Sequence, residues 1–600
     1  MRVSEQIANW LVKQGIEQVF TVTGGGAMFL NQALGGHPKL QCTFMHHEQA
    51  CAMAAEGYAR ISGRPAVVML TTGPGSINAL NGVYGAFTDS IPMIVISGQT
   101  KRETCLSFYD LPQLRQLGDQ EGPTIAMASP VCKFAHLVRS EQDLETVLPK
   151  ALVEATTGRP GPIWLDIPLD IQQSTALINI PDPQLSQISD HSHLRSACRQ
   201  ILEKLQSSHR PLILGGTGVR LSKMEGRLLK LIERLGIPLA TAWTHDLIAS
   251  DHPLFAGRPG TIGTRAGNFC VQNADFILVM GSRLNIRQTS YNWDSFARNA
   301  WVAQVDIDPA ELKKPTVKVD FGVEADLSDF LDVLENELSD FSLPKYQSWA
   351  EWCQEMGTTY SALNEHRQPP NRPLNPYVIV DRIFKQMRPD DIVATGNASA
   401  CILPFQVGTL KRDQRMFSNS GSASMGYDLP AALGAAAAAR ATGSCRVICF
   451  AGDGSLQMNI QELQTLKTTA LNVVVIVLNN RGYLSISQTH ENFFGRVIGA
   501  TPESGIEFPD FAAVARAYGL KSASIASEED MAHLDELLKE DGPLLIDLHV
   551  DPRQEFMPRI KSRVDENGKF FTPELDDMYP FLPEEECDAV RLDGQSIRAN

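Results

Sequence analysis

The chain has 600 residues, 43% hydrophobic and 20% charged, with 53 basic against 69 acidic residues, a net charge of −16 and a pI near 5.3. That length exceeds a single core and suggests about three or four domains, and the acidic balance argues against a nucleic-acid backbone as partner. No uninterrupted apolar run approaches the roughly 18 residues of a membrane span, the N-terminus reads as an amphipathic helix instead of a basic-then-apolar leader, and eleven scattered cysteines without metal-ligand spacing read as reduced thiols of a cytoplasmic protein.

In chain order, short β-rich runs alternate with helix-like stretches: "AVVML", "MIVIS", "PIWLDIP", "PLILGG", "DFILVMGS", "WVAQVDID", "DIVATG", "RVICFAG", "NVVVIVLNN" and "LLIDLHV". Apolar runs without polar alternation suit strands buried on both faces, so the expected class is α/β with doubly wound parallel sheets. Polar, proline-bearing stretches near 171–195 and 343–373 interrupt the pattern. They divide the chain into three units, expected at 1–170, 195–345 and 370–550, followed by a charged tail with aromatic anchors, 551–600. An echo links the first and third units: "RPAVVMLTTGPGSIN" and "CRVICFAGDGSLQMN" both read strand, glycine turn and helix start, and each is followed by another apolar strand. Two successive strands at similar spacing suggest a duplicated α/β unit. Only the later copy carries an acid, Asp453, in its turn.

A glycine turn at the carboxyl end of a parallel strand favours phosphate, because backbone N–H groups and the helix dipole point at it. A carboxylate there would repel a bare phosphate unless a divalent cation lay between them. The next buried strand ends in "LNNRGY", so Asp453, Asn480 and a backbone carbonyl near Gly482 are expected metal ligands. Gly-Asp-Gly followed after 24 residues (455–478) by Asn-Asn resembles the signature of thiamine diphosphate enzymes. That cofactor needs a carboxyl group to hydrogen-bond its pyrimidine ring and so help its thiazolium C2 lose a proton. "HEQACAMAAEGYARISGRP" supplies Glu48 at the start of an alanine-rich helix, and it resembles the matching motif of acetohydroxyacid synthase-type enzymes.

The resemblance covers about residues 1 to 550 and includes "GGGAMF", "TTGPGSIN", "DSIPMIVISGQ", "ATTGRPGPIWLDIP" and "SASMGYDLPAALGAA". It implies a pyrimidine-binding first domain, a central flavin-type domain and a diphosphate-binding third domain. Gly25 or Gly26 would donate a backbone N–H to the developing oxyanion, and Gln120 would contact reaction intermediates. Met425 would bend the cofactor, with Asn397, Ala398, Ser399, Ser424, Gly454 and Ser455 around the diphosphate. The central unit lacks a G-x-G-x-x-G fingerprint, since "GGTGVRL" ends in leucine. Here the resemblance adds flavin adenine dinucleotide (FAD), with matching positions at Arg159, Gly215, Gly216, Gly281, Arg283, Asn285, Arg287, Asp306 and Asp326. On its own residues Asp306 reads equally as a strand-end cap.

Three positions depart from the synthase on the acceptor side. Its pocket tryptophan aligns with Thr489, the lysine of its "IPKD" segment with Leu169, and a phenylalanine with Asp119, while the segment between Gln99 and Gly118 looks longer. Losing an aromatic wall and a cation suggests an acceptor other than a simple second 2-keto acid. Arg287 matches an arginine that orients the acceptor. The tail "FTPELDDMYPFLP" resembles that of relatives that add an acetyl unit from pyruvate to a keto-sugar. The expected activity is therefore a transferase or lyase that decarboxylates pyruvate and passes the two-carbon unit to a ketone or keto-sugar, with acetolactate formation and simple decarboxylation as alternatives. The family arrangement places each site between two chains, which implies a homodimer or homotetramer.

Overall fold

The structure is a computed structural model describing residues 1–184, 192–243, 245–366, 373–443, 445–564 and 567–592. Parts of both expected linkers (185–191 and 367–372) and the end of the tail (593–600) lie outside the described residues. The chain divides into two compact units, one built from residues 1–186, 390–400 and 418–552, the other from the remainder.

The first unit contains one complete sheet and, apart from most of the edge strand Arg415–Ser418, a second. One comprises β1 (Gln18–Thr21), β2 (Gln41–Phe44), β3 (Val67–Leu70), β4 (Met93–Gln99), β5 (Phe134–Leu137) and β6 (Pro162–Pro168) in the order β2-β1-β3-β4-β6-β5. The central sheet of the second unit comprises β7 (Pro211–Gly215), β8 (Leu239–Thr241), β9 (Phe276–Met280), β10 (Trp301–Asp306) and β11 (Phe321–Glu324), ordered β11-β10-β9-β7-β8. The last sheet comprises β12 (Ile392–Thr395), β13 (Arg415–Ser418), β14 (Val447–Gly452), β15 (Val473–Asn479), β16 (Lys521–Ile525) and β17 (Leu544–His549), ordered β13-β12-β14-β15-β17-β16. The pairings in the first two sheets, and from β12 to β16 in the last, are parallel. The fold is α/β, and the echo in the sequence is a repeated topology: replacing β1–β6 by β12–β17 in turn converts one six-strand order into the other. Parallel strands all end at one edge, so each sheet gathers its turns there.

Two helices lie between the sheets of the first unit. Glu48–Ser62 starts with His47, whose side chain accepts from the Gln49 N–H, and ends at Gly63 in the left-handed region (φ 66). It packs on Asp428–Thr442 so closely that a methyl on Gly57 would sit 2.1 Å from the Ala431 carbonyl oxygen, and one on Gly434 1.8 Å from that of Ala54. The alanine-rich sequences allow this approach, and any larger residue at either glycine would force the backbones apart.

In the second unit, the stretch read as a polar interruption near 343–373 holds a 13-residue helix, Gln347–Thr359. Trp349, Ala350, Cys353 and Met356 recur on one face and are buried, with Trp349 joining the core beneath β7 and β9. The flanking proline and charge masked that period. The tail runs along the helix Arg265–Asn273, where the Asn268 and Asn273 amides donate to the carbonyls of Leu575 (2.8 Å) and Val590 (3.1 Å). None of the eleven cysteines forms a disulfide, and eight are buried. Among the described residues no helix is long and apolar enough to cross a membrane.

Candidate active site

Strand β14 runs directly into the helix Asp453–Met458, which leaves Asp453 at the sheet edge with 2% of its surface exposed. Its Oδ1 accepts from the Gly454 N–H (2.7 Å) and its Oδ2 from the Gly482 N–H (3.0 Å). Parallel pairing of Gly452 with Leu478 brings the end of β15, and with it Asn480 and Gly482, to the same place. Asn480 Oδ1 lies 3.1 Å from Asp453 Oδ2 and 3.2 Å from the Gly482 carbonyl oxygen. Turned over, the amide would donate to both; as placed, three oxygens face one another with no proton between them. Neighbouring ligands on an octahedron with bonds of about 2.1 Å are about 3.0 Å apart, so this spacing fits a small divalent cation. Burial pushes the Asp453 carboxyl up to about 7 against four backbone N–H groups that lower it, a cost that a bound cation would offset. Among the described residues no three His, Cys, Asp or Glu side chains gather as a metal site. The Asp453 trio needs only one carboxylate.

A loop over residues 419–427 approaches this turn. The Asn397 amide donates to the Ala423 carbonyl (2.9 Å), the Gly426 N–H to Ser455 Oγ (2.8 Å), and the Asn459 amide to the Gly426 carbonyl (2.7 Å). Ala398 (φ 45), Ala423 (φ 51) and Arg481 (φ 61) are all left-handed without being glycine, the kind of strain that gathers at working sites. Ser424 shares a hydroxyl contact with Ser422 (2.7 Å), Met425 is half-buried, and Ser399 starts a helix at the end of β12.

At the equivalent edge of the first sheet, Glu48 lies beside the turn after β3. Its Oε2 accepts from the Asn78 amide (3.0 Å), and a methyl on Gly75 would meet its Oε1 at 3.0 Å. Gly25 and Gly26 form a short turn against Thr72, with open space over Gly25 and the Gly26 carbonyl taking a hydrogen bond from Gln172 (2.9 Å). Gln120 is left-handed (φ 57), and its carbonyl presses on Gly73, where a methyl would lie 1.9 Å away. Gln99 holds this loop: its amide donates to the Gly122 carbonyl (3.1 Å) and to buried Asp166 (2.9 Å), and its oxygen accepts from Thr72 (2.9 Å).

Residues 1–120 match the thiamine pyrophosphate enzyme N-terminal TPP binding domain, 198–334 the central domain and 396–548 the C-terminal TPP binding domain. The acetolactate synthase isozyme 1 large subunit of Escherichia coli (strain K12) is 30% identical over 563 residues, spanning 93% of this chain and 95% of that protein. The chain belongs to the acetolactate synthase family of thiamine pyrophosphate enzymes. A second member, acetolactate synthase 2, chloroplastic, of Zea mays is 31% identical over 589 residues (93% and 87% covered). The large subunit of Lactococcus lactis subsp. lactis (strain IL1403) is 28% identical over 584 (96% and 97%). The chain is an acetolactate synthase-like enzyme that forms carbon–carbon bonds.

In this acetolactate synthase-type chain the central sheet brings several of the flavin-matching residues to one edge. The Gly216 N–H donates to the Met280 carbonyl (3.0 Å), and the N–H of left-handed Gly281 (φ 57) to the Val305 carbonyl (3.1 Å), joining the ends of β7, β9 and β10. Gly215 closes β7, Arg283 follows β9, and Arg287 is exposed. Asp306, Asn285 and Asp326 each also hold local structure: Asp306 accepts from the Asp308 N–H (3.0 Å), while Asn285 and Asp326 cap helices by accepting from the N–H groups of Gln288 (3.2 Å) and Ser328 (2.8 Å). Arg159 belongs to the other unit, where its Nε donates to Ser90 (2.8 Å). Thr241 Oγ1, Gln288 Nε2, Ser290 Oγ and Gln304 Oε1 are buried around this edge without a hydrogen-bond partner, an arrangement that fits a polar ligand.

Leu169, expected beside the acceptor, begins the helix Leu169–Gln173, and Arg102 binds the next residue, Asp170 (2.6 Å), which ties the segment after Gln99 to it. Glu121 gathers that segment from the other end, accepting from the N–H groups of Leu106, Leu117 and Gly118, so exposed Asp119 sits on an ordered loop. Exposed Thr489 turns its hydroxyl back to the Ser485 carbonyl (2.8 Å). Sequence reasoning missed Glu56, Asp89, Asp166 and Asp428, all buried acids. A signal existed for the first, since Glu56 and Arg60 stand four residues apart within an alanine run.

Proposed function

We propose that the chain is a magnesium-dependent thiamine pyrophosphate enzyme that decarboxylates pyruvate and joins the two-carbon unit to a carbonyl acceptor, with a second 2-keto acid, giving acetolactate, as the best-supported acceptor. The observation that carries the reading is the trio of Asp453 Oδ2, Asn480 Oδ1 and the Gly482 carbonyl at 3.1–3.2 Å, beside a glycine turn. Bound there, thiamine pyrophosphate would supply a carbon nucleophile that also accepts the electrons left by departing carbon dioxide.

The chain's own residues bind, orient and move protons. Asp453, Asn480 and Gly482 hold the cation. Asn397, Ala398, Ser399, Ser424, Gly454 and Ser455 would hold the diphosphate, and Met425 would set the cofactor's conformation. Glu48, one oxygen of which is fixed by Asn78, would hydrogen-bond the pyrimidine and carry its proton. Backbone N–H groups at Gly25 or Gly26 and the Gln120 amide face the reacting carbonyl. The domain limits 1–170, 195–345 and 370–550, with the tail 551–600, are those of the polar, proline-bearing breaks in the sequence. FAD at the central edge is supported by the four orphaned polar atoms, with Gly215, Gly216, Gly281, Arg283, Asn285, Arg287, Asp306, Asp326 and Arg159 as its residues. A cytoplasmic location, in keeping with eleven cysteines outside any disulfide, and a homodimer or homotetramer, from the family arrangement, complete the reading.

A second reading, transfer to a keto-sugar, is favoured by Thr489, whose small side chain is folded onto its own helix where a wall would stand, and by Leu169 and Asp119. Product analysis separates the two. Acetolactate from pyruvate alone supports the first; little product until a ketose is added supports the second. Acetaldehyde alone under both conditions overturns both.

A further inference from the structure

Both ends of the 419–427 loop are held by buried charges that the proposed chemistry does not use. Arg60 Nη2 bridges Glu56 Oε1 (2.7 Å) and Asp89 Oδ2 (2.6 Å), and all three side chains are nine-tenths or more buried. Buried carboxylates need hydrogen-bond donors inside a low-dielectric interior. The loop supplies four of them. Asp89 accepts from the backbone N–H groups of Ser420 (3.1 Å) and Gly421 (2.9 Å), and Glu56 from the Asn419 amide (2.9 Å) and the Tyr427 hydroxyl (3.1 Å). Glycine makes the approach possible, since a methyl on Gly421 would lie 2.4 Å from Asp89 Oδ1 and one on Gly85 2.3 Å from the Asn419 amide nitrogen. Between these anchors the loop carries Ser424 and Met425, and Gly426 meets Ser455 in the turn that holds Asp453.

We infer that Glu56, Arg60 and Asp89 form a positioning clamp that holds the 419–427 loop in its cofactor-binding conformation. The inference rests on the thiamine pyrophosphate reading of the site. None of the three is a catalytic residue; each acts through the loop.

Replacing Arg60 would leave two buried acids in contact and threaten the fold, so the test uses Gly421→Ala and Asp89→Asn. Gly421 is exposed and its backbone is not left-handed, so an added methyl acts through the approach to Asp89 and to the adjoining Thr88 side chain, whose Oγ1 it would meet at 2.8 Å. Thiamine pyrophosphate is titrated into the full-length protein at saturating magnesium, followed by tryptophan fluorescence, with the melting temperature of the cofactor-free protein measured in parallel. Wild type must bind first; if it does not, the functional reading fails. The clamp predicts cofactor affinity weakened about tenfold or more in both variants, with the melting temperature of Gly421→Ala nearly unchanged and new protease cleavage within 419–425. Affinity within about twofold of wild type in both, whether or not the melting temperature falls, overturns the clamp.

Discussion

Gly454→Ala tests how tightly the cation site is built. A methyl there would lie 2.1 Å from Tyr483 Cε1, 2.7 Å from its Cδ1 and 3.2 Å from Phe508 Cζ. Carbon atoms pack at about 3.5–4.0 Å, so the Tyr483 ring must retreat by roughly 1.5 Å. The backbone has little room to follow: the Tyr483 N–H is bonded to the Ala500 carbonyl (2.8 Å), and a methyl on neighbouring Gly482 would lie only 2.3 Å from that same oxygen. Gly482 supplies one of the three oxygens and the N–H on Asp453, and metal ligands tolerate displacement of only about 0.2 Å. The substitution should therefore weaken cation binding by about 10–100-fold and lower stability by about 1–3 kcal/mol through overpacking. The assay is the magnesium dependence of thiamine pyrophosphate retention, with circular dichroism to confirm folding. A folded variant with the wild-type magnesium midpoint would refute the assignment of this turn to the cation.

Two further substitutions probe the first sheet. Glu48→Gln keeps an acceptor for Asn78 but cannot exchange a proton, so turnover should fall by at least about 10²-fold with the fold intact; near-normal activity rejects the role of Glu48. Asp166 is an acid whose pKa is raised by burial from 3.8 to about 7, despite hydrogen bonds from Ser97 and Gln99 that lower it. The stability its protonated form contributes is complete below the unfolded value and is lost as pH rises through the folded one. Relative to Asp166→Asn, wild type should lose about 2 kcal/mol between pH 5 and pH 7, the slope falling from about 1.4 kcal/mol per pH unit to about half that at the folded value, read as the difference between their urea midpoints. A pH-independent offset between the two proteins contradicts that titration.

The ten apolar runs read from the sequence are all strands, and within the three large sheets the seven strands missed are β1 together with the six at the edges. Central strands are buried on both faces and write a continuous apolar signal, whereas β2, β5, β11 and β16 are half-exposed and β8 spans only three residues. The Asp453, Asn480 and Gly482 set was legible because adjacent parallel strands deliver successive turns to one edge. Glu56 and Asp89 were not, because their partners lie 363 and 331 residues away on the 419–427 loop and only packing of the two sheets unites them. A buried acid paired across such a distance leaves no local pattern. The same limit hid the helix Gln347–Thr359, whose apolar face is short and flanked by proline and charge.

The central claim is a decarboxylating carbon–carbon ligation at the Asp453 and Glu48 sites. Pyruvate labelled at C1 and C2, incubated with the full-length protein, magnesium and thiamine pyrophosphate, reads both halves at once by carbon NMR. The account predicts release of labelled carbon dioxide and a product in which two pyruvate-derived C2 carbons are directly coupled. Intact pyruvate, with no carbon dioxide and no coupled product, would contradict it.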